Sequence, residues 1–217
     1  MQGNNPIRPP LQGDGIRLEV KHIFPTLQGE GPYAGHPAVF VRLGGCNLAC
    51  RFCDTDFVGV DGPGGGKFAS ADALARAVVD RWPANMSPGV RRLVVCTGGE
   101  PLLQMDDDLV RAFHACGFEI AVETNGTQRP PADIDWLCVS PKAGAPLLLT
   151  HGNELKLVYP QDGADPSQFE RLTFEQFFLQ PMDGADRERN TELALAYCLA
   201  HPQWRLSIQT HKLLGIP

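Results

Sequence analysis

Three cysteines stand close together early in the chain. Cys46, Cys50 and Cys53 form a CxxxCxxC pattern in a segment rich in glycine and small residues. Thiolates are soft ligands, which suit iron–sulfur clusters, zinc and Cu(I). A four-iron cluster usually takes four thiolates, so three would leave one iron open to a ligand that does not come from the protein. We therefore predict a three-thiolate [4Fe–4S] cluster at this loop.

Other thiolate sites use different patterns. Structural zinc wants four ligands, commonly as two CxxC pairs, and the sequence has no second pair. The bacterial ferredoxin pattern CxxCxxCxxxCP is also absent. The odd total of seven cysteines favours a reducing, cytoplasmic location over a disulfide scaffold. The remaining cysteines stand singly among apolar neighbours and are predicted to be buried and inert: Cys96, Cys116, Cys138 and Cys198.

A Gly-Gly-Glu motif follows an apolar run later in the chain. Gly98 and Gly99 would let a ligand approach the backbone closely, because they carry no side chain. The carboxylate of Glu100 could accept hydrogen bonds from an ammonium group. A simple turn after a strand is the alternative interpretation of these residues. Taken with the cysteines, the motif indicates a second part of one binding site.

Short apolar strands and a few helices must position these motifs. The predicted strands are 16–24, 38–43, 92–97, 119–123, 136–139, 154–159, 174–179 and 205–209, and the predicted helices are 70–82, 105–116 and 191–200. This alternation favours an α/β fold with a parallel sheet. The segment from about 139 to 154 is too short for a full crossover helix. We expect an incomplete, splayed (β/α) barrel, reduced in helices, with ligands at the carboxyl ends of its strands.

Length and composition narrow the functional class. The chain of 217 residues favours a single domain over residues 16–217. Residues 1–15 are polar, lack the apolar region of a signal peptide, and are expected to be a disordered N-terminal extension. A net charge of -6 argues against a nucleic-acid binder. Without a run of about 18 apolar residues, no membrane span is predicted. A small-molecule ligand fits best.

The cysteine pattern and the Gly-Gly-Glu motif together resemble the radical SAM superfamily. The resemblance implies that the amino and carboxylate groups of S-adenosylmethionine chelate the open iron. It also implies that reduction of the cluster cleaves this cofactor to a 5′-deoxyadenosyl radical. The Gly-Gly-Glu motif would bind the methionine amino group. The protein would supply placement and exclusion of water, while the radical chemistry belongs to the cofactor.

A closer resemblance, over about residues 16–217, is to the 7-carboxy-7-deazaguanine synthase family. It rests on the segments 27–31 (LQGEG), 53–56 (CDTD), 123–126 (ETNG), 140–142 (SPK) and 209–212 (QTHK). The resemblance implies a lyase of queuosine and deazapurine biosynthesis. Its reaction would be a radical-mediated ring contraction of 6-carboxy-5,6,7,8-tetrahydropterin to 7-carboxy-7-deazaguanine, with loss of ammonia. A flavodoxin-like electron donor and a homodimer would be its partners.

The resemblance also implies roles for single residues. Gln28 and Glu30 would bind the pterin edge, Arg42 and His211 would hold the substrate carboxylate, and Pro217 would fold over the substrate. No protein side chain is assigned as catalytic, because the cofactor carries the radical. The remaining implied contacts are Leu27, Gly29 and Thr97 for the substrate, Thr55 for Mg²⁺, and Phe52, Gly98, Gly99, Glu100, Asn125, Ser140, Lys142 and Gln180 for S-adenosylmethionine.

Two other functional classes remain open from the sequence. A glycyl-radical activating enzyme has the same three cysteines and a protein substrate, but it would need a surface groove and often carries further cysteine clusters. A non-catalytic iron–sulfur or zinc module is the other class. The Gly-Gly-Glu motif and the missing fourth ligand count against that module.

Overall fold

The computed structural model describes residues 18–83 and 89–217 of the chain. The predicted extension, residues 1–15, lies outside the described residues. The strands are β1 (Leu18–Leu27), β2 (Pro37–Leu43), β3 (Gly66–Phe68), β4 (Leu93–Gly98), β5 (Glu119–Thr124), β6 (Trp136–Val139), β7 (His151–Tyr159), β8 (Thr173–Pro181) and β9 (Trp204–Leu206). The α-helices are α1 (Ala71–Val79), α2 (Asp107–Ala115), α3 (Arg187–Ala200) and α4 (Thr210–Leu214). No helix in the described residues is long and apolar enough to cross a bilayer.

The strands form one open sheet in the order β3-β1-β2-β4-β5-β6-β7-β8-β9. From β2 to β9 all neighbours are parallel, which confirms the predicted open, partial barrel. The expectation of a parallel sheet is wrong at one edge, because β1 runs antiparallel to both β2 and β3. The connection between β1 and β2, residues 28–36, is shorter than the roughly dozen residues that a parallel crossover needs.

The helices are few, as the sequence predicts. Ser70 caps α1 by accepting a hydrogen bond from the backbone N–H of Ala73, and Asp106 caps α2 through Leu109. No α-helix follows β5, β6 or β7 before the next strand in this fully described stretch of the chain. Their connections are loops, with one 3₁₀ turn at Pro166–Gln168. The loops leave the carboxyl ends of these strands open around a common space.

The two faces of the sheet differ in chemistry. One face packs against α1, α2 and α3 and is apolar, as Val41, Cys96 and Leu157 illustrate. The opposite face, here called the cavity face, carries a small apolar cluster low on the strands, including Val95 and Ala121. Because side chains alternate along a strand, polar residues higher on the cavity face point into the space above that cluster. This alternation puts the chemistry on one side of the sheet.

Two short elements are absent from the sequence-based prediction. Gly66–Phe68, which no predicted strand or helix includes, pairs with β1 as a strand. The last predicted strand, 205–209, ends at Leu206, and residues 210–214 form α4 instead. At that point the Thr210 backbone N–H donates to the carbonyl of Gly29, 3.0 Å away. Long-range contacts, which local patterns do not contain, decide both segments.

Candidate functional site

A large cavity opens at the carboxyl ends of the parallel strands. Its volume is about 510 Å³. Its walls come from the loop after β1, the cysteine loop, the ends of the parallel strands and the C-terminal segment 209–217. Parallel sheets place their ligands at this edge, and the volume suits a small molecule rather than a polymer.

All but one of the residues predicted to bind the cluster, the cofactors or the substrate line this cavity. They are Leu27, Gln28, Gly29, Glu30, Arg42, Cys46, Cys50, Phe52, Cys53, Thr55, Thr97, Gly98, Gly99, Asn125, Ser140, Lys142, Gln180, His211 and Pro217. The exception is Glu100. Residues from both halves of the chain therefore meet in one space.

The three predicted cluster ligands occupy one wall. Cys46 is buried, Cys50 is half-buried and Cys53 is exposed. Burial raises the pKa of the Cys46 and Cys50 thiols, so bound metal would have to offset the cost of forming the thiolates. The other four cysteines, all within the described residues, do not line the cavity. The donor set thus fits a cluster held by three thiolates.

A pair of glycines joins the end of β4 to the cysteine loop. A Cβ atom at Gly99 would lie 2.1 Å from the carbonyl oxygen of Gly45 and 2.6 Å from the Cβ of Cys46. Gly98 has φ +142°, and a Cβ there would lie 2.1 Å from the carbonyl oxygen of Leu43. Any larger residue would push the two segments apart. The backbone at both positions stays open to the cavity.

Glu100 lies beneath these glycines and does not face the cavity. Its carboxylate accepts hydrogen bonds from the Thr124 hydroxyl at 2.7 Å, the Asn125 backbone N–H at 2.7 Å and the Leu102 backbone N–H at 3.0 Å. The sequence-based expectation directs this carboxylate at an ammonium group of the cofactor. In the structure it instead holds the turn after β5, because that turn offers it two nearby donors. Of this motif, Gly98 and Gly99 line the cavity and Glu100 does not, and cofactor binding by Glu100 stays a prediction.

A buried lysine joins two carboxylates in the cavity wall. Lys156 Nζ lies 2.6 Å from Glu30 Oε2 and 2.6 Å from Glu123 Oε2. Its side chain is only 4% exposed, so water screens these ion pairs weakly. Burial alone would lower the pKa of Lys156, but the acidic side chains around it, Cys138 and Glu123 foremost, raise it well above its ordinary value. We call Glu30, Glu123 and Lys156 the lysine cluster.

The loop after β1 is fixed onto this cluster. Glu30 accepts hydrogen bonds from Gln209 Nε2 at 2.9 Å and Gln180 Nε2 at 3.2 Å. Burial would raise the pKa of Glu30, but the charge and hydrogen bond of Lys156 outweigh it and lower the pKa. Gln28 donates to Glu123 Oε1 at 3.3 Å and accepts from the Glu30 backbone N–H at 3.2 Å. The loop therefore presents ordered acceptors and a charged carboxylate to the cavity.

Arg42 and His211 approach the cavity from different segments. The Arg42 guanidinium on β2 lies 5.9 Å from the ring centre of Phe24, and burial lowers its pKa. The His211 ring packs directly on Gly29, where a Cβ would lie 2.2 Å from Nδ1. Burial also lowers the pKa of His211, which favours the neutral imidazole. The guanidinium offers a fork of N–H donors for a carboxylate.

The C-terminal segment closes one side of the cavity. Lys212 Nζ lies 2.5 Å from Asp54 Oδ2 and 2.6 Å from Asp183 Oδ2. Asp54 directly follows Cys53. The Thr26 hydroxyl donates to the carbonyl oxygen of Pro217 at 2.8 Å. Burial would raise the pKa of Asp54, but its hydrogen bond to Lys212 lowers it. These contacts tie the chain end to the cysteine loop and to β1.

The remaining predicted cofactor contacts lie along the strand ends from β5 to β8. Lys142 Nζ donates to the carbonyl and the hydroxyl oxygen of Ser140, at 2.7 Å and 2.6 Å. Burial lowers the pKa of Lys142. Asn125 Nδ2 donates to Asn47 Oδ1 at 3.1 Å, which connects the turn after β5 to the cysteine loop. This wall is polar but carries fewer charges than the lysine cluster.

Comparison with known proteins identifies the family. The radical SAM superfamily pattern matches residues 40–150. A 7-carboxy-7-deazaguanine synthase from Caulobacter vibrioides is 61% identical over 213 residues, which cover 93% of this chain and all of that protein. The chain belongs to the 7-carboxy-7-deazaguanine synthases. A member from Burkholderia multivorans is 57% identical over 209 residues, which cover 91% of this chain and 98% of the relative.

A solved structure agrees with this family assignment. The crystal structure of QueE from Escherichia coli matches with a TM-score of 0.69 at 28% identity, over 88% of this chain and 93% of that chain. The predicted family and partial-barrel fold are thereby confirmed. As a radical SAM family member, the chain is an enzyme that uses a [4Fe–4S] cluster and S-adenosylmethionine.

Several polar residues of the site carry no role in the sequence-based prediction. They are Asp54, Glu123, Lys156, Asp183, Gln209 and Lys212. Lys156 could have been noticed in the sequence, because charged residues are unusual in a strand buried on both faces and the predicted strand 154–159 has two, Glu154 and Lys156. No local pattern reveals its partners, since Glu30 is 126 positions away.

Proposed function

We propose that this enzyme converts 6-carboxy-5,6,7,8-tetrahydropterin to 7-carboxy-7-deazaguanine with loss of ammonia. The observation that carries the proposal is the lysine cluster, which lines the same small cavity as the three thiols. A pterin has a row of N–H donors along one edge of its ring, and charged carboxylates are strong acceptors for them. A cavity of about 510 Å³ suits such a molecule better than a polypeptide loop.

The substrate would lie between the lysine cluster and Arg42. Glu30 would accept hydrogen bonds from the pterin edge and Gln28 would donate one to it. Leu27 and Gly29 of the same loop would lie against the ring. The Arg42 guanidinium and the neutral His211 ring would hold the substrate carboxylate. Thr97 and the chain end at Pro217 would complete the enclosure. The contact between Thr26 and Pro217 supports this role for the chain end, because it holds the last residue over the cavity.

The cofactors would occupy the wall opposite. When bound, the cluster and S-adenosylmethionine supply a 5′-deoxyadenosyl radical that exchanges hydrogen with C6 of the substrate. Cys46, Cys50 and Cys53 would hold the cluster, Phe52 would shield it, and the Gly98–Gly99 backbone would meet the methionine part. Asn125, Ser140, Lys142 and Gln180 would contact the nucleoside part. The chain's own contribution is to hold C6 near that nucleoside and to keep water out.

A magnesium ion at Thr55 belongs to the same proposal. Among the described residues, no three His, Cys, Asp or Glu side chains are grouped as ligands of one metal ion. Mg²⁺ keeps most of its waters and takes few protein oxygens, so the Thr55 hydroxyl and the substrate carboxylate would be enough to orient it. Thr55 lines the cavity beside Asp54, which supports that placement.

The wider context of the reaction is also proposed. The enzyme would be a single domain over residues 16–217 that forms a homodimer. A flavodoxin-like electron donor and a cytoplasmic location would suit its oxygen-sensitive cluster. The buried, uncrosslinked Cys96 and Cys138 support a reducing compartment.

An anaerobic assay tests this function. Reconstituted enzyme, S-adenosylmethionine, dithionite and carboxytetrahydropterin should give the ultraviolet chromophore of a deazaguanine, with ammonia in equal amount. Omitting the pterin is the control. Cleavage of S-adenosylmethionine without the chromophore would contradict the assigned substrate and would direct attention to a protein substrate instead.

A further inference from the structure

Three ionisable side chains form a row across the sheet next to the lysine cluster. Glu123 on β5 is the register partner of Cys138 on β6, and Cys138 is the register partner of Glu154 on β7. Neighbouring strands lie about 4.8 Å apart, so the thiol stands between the two carboxyl groups. Glu123 reaches the cavity, whereas Cys138 and Glu154 are buried below it.

Glu154 has an incomplete set of hydrogen bonds. Its side chain accepts from Trp136 Nε1 at 3.0 Å through Oε2. Its Oε1 atom is the buried side-chain polar atom without a hydrogen-bond partner among the described residues. Glu154 is 3% exposed, so an ionised carboxylate here would be desolvated and only half satisfied by hydrogen bonds, which is unfavourable. A neutral acid avoids most of that cost.

The loop that binds the substrate edge packs on this carboxyl group. Gly31 has φ +61°, and a Cβ atom there would lie 2.6 Å from Glu154 Oε1 and 2.8 Å from Oε2. Gly31 directly follows Glu30 of the lysine cluster. The state of Glu154 therefore bears on the loop as well as on the strand.

Burial, rather than the surrounding charges, favours the protonated form of Glu154. The titratable groups that influence it are Lys156, two positions along the same strand, Glu123, and the Cys138 thiol. Burial raises the pKa of Glu154 to about 7, Glu123 adds to the rise, and Lys156 opposes it. If Glu154 were ionised, one buried and two half-buried carboxylates would depend on one lysine, whose ion pairs already go to Glu30 and Glu123.

We propose that Glu154 is a neutral carboxylic acid in the working enzyme and acts as a positioning residue. By keeping its proton, it leaves Lys156 to Glu30 and Glu123, which then face the N–H donors of the substrate as charged acceptors. The substrate part of this inference rests on the proposed function. Cys138 keeps the two carboxyl groups apart and stays a neutral thiol, since burial raises its pKa well above the ordinary value.

Substrate kinetics of the holoenzyme test this role. In the natural enzyme, KM for the pterin should rise as the pH passes upward through about 7, by up to about tenfold per pH unit, while kcat changes little. Glu154→Gln mimics the neutral acid and should give a KM that stays low and flat with pH. Glu175→Gln, an exposed glutamate on β8, is the matched control and should keep the natural profile. A Glu154→Gln enzyme with a raised KM at low pH, or with the natural slope, overturns the proposal.

A direct readout needs no substrate and no product. Below about pH 7 the infrared spectrum of the holoenzyme should contain the carbonyl band of a protonated carboxylic acid that is lost in Glu154→Gln and kept in Glu175→Gln. If Glu154→Gln fails to fold, fluorescence of Trp136, which donates to Glu154, should titrate through the same pH and this change should vanish in Trp136→Phe. Absence of the titrating signal overturns the proposal. Absence of product in the natural enzyme would instead overturn the substrate assignment.

Discussion

Two parts of the cavity are held together by different interactions. The cofactor wall consists of the cysteine loop and Gly98–Gly99, and the substrate wall consists of the lysine cluster and the loop after β1. On the cofactor wall, close backbone contact dominates: the Glu100 N–H donates to the Gly45 carbonyl at 3.0 Å, and Gln104 Nε2 donates to the Gly44 carbonyl at 2.7 Å. On the substrate wall, buried charges dominate, with Lys156 between Glu30 and Glu123. The cofactor wall should therefore be sensitive to added volume, and the substrate wall to any change of charge.

The largest effect should come from removing a cluster ligand on the cofactor wall. Cys50→Ala should lower deazaguanine formation by about a thousandfold or more, because the radical chemistry supplies most of the rate. Iron and sulfide per chain, measured after anaerobic reconstitution, should fall with it. Cys198→Ala on α3 does not touch the cavity and should behave as the natural enzyme. If Cys50→Ala kept its activity, neither the cluster nor the radical chemistry could be assigned to this loop.

A change of charge on the substrate wall should follow. Lys156→Met leaves Glu30 and Glu123 without their cation and should destabilise the fold by about 3–5 kcal/mol in denaturant unfolding. The more exposed pair of Lys67 and Glu19 provides the control, where Lys67→Met should cost less than about 1 kcal/mol. Iron content should stay close to that of the natural enzyme, because the ion pairs of Lys156 do not involve the cysteine loop. A loss as small as the control's would mean that the substrate wall does not depend on charge balance.

The substrate wall should also respond to pH. The native pKa of Glu154 is raised to about 7 from an ordinary 4.5, so the folded state holds a proton that the unfolded state releases. Its contribution to stability is therefore full below about pH 4.5 and is lost as the pH rises through about 7, by at most about 3–4 kcal/mol. Unfolding free energies of the natural protein minus those of Glu154→Gln should show this downward slope. A difference that stays constant with pH would contradict it.

Added volume on the cofactor wall should have a smaller effect on stability. Gly99→Ala puts a methyl group 2.1 Å from the Gly45 carbonyl oxygen, which should cost about 1–3 kcal/mol and lower the iron retained per chain. Gly44→Ala in the adjoining cysteine loop meets its nearest atom only at 3.4 Å and serves as the control. Equal iron retention in both variants would show that the cofactor wall can give way to added volume after all.

Most of the strands and the open barrel were predictable because they follow from short-range patterns. Apolar runs such as 92–97 and 136–139 are recognisable as strands from their own residues. The segment between 139 and 154 is visibly too short for a crossover helix. The reversed direction of β1 could not be inferred from its own alternation, because a strand's pattern is the same in either direction. Likewise, α4 exists at 210–214 through contacts with Gly29 and Asp54, which lie far away in the sequence.

The sequence by itself determined the chemistry of the cofactor wall. Cys46, Cys50 and Cys53 fall within one loop, so their spacing alone keeps the three thiols near one another. The glycine pair indicates that another segment or a ligand approaches the backbone closely. Only the tertiary structure decided where the charges go. It turned Glu100 inward to the turn after β5, brought Lys156 to Glu30 across the barrel, and buried Glu154 with one oxygen unpaired. The reason is physical: electrostatic energy depends on distance and burial, and neither is a property of neighbouring positions in the chain.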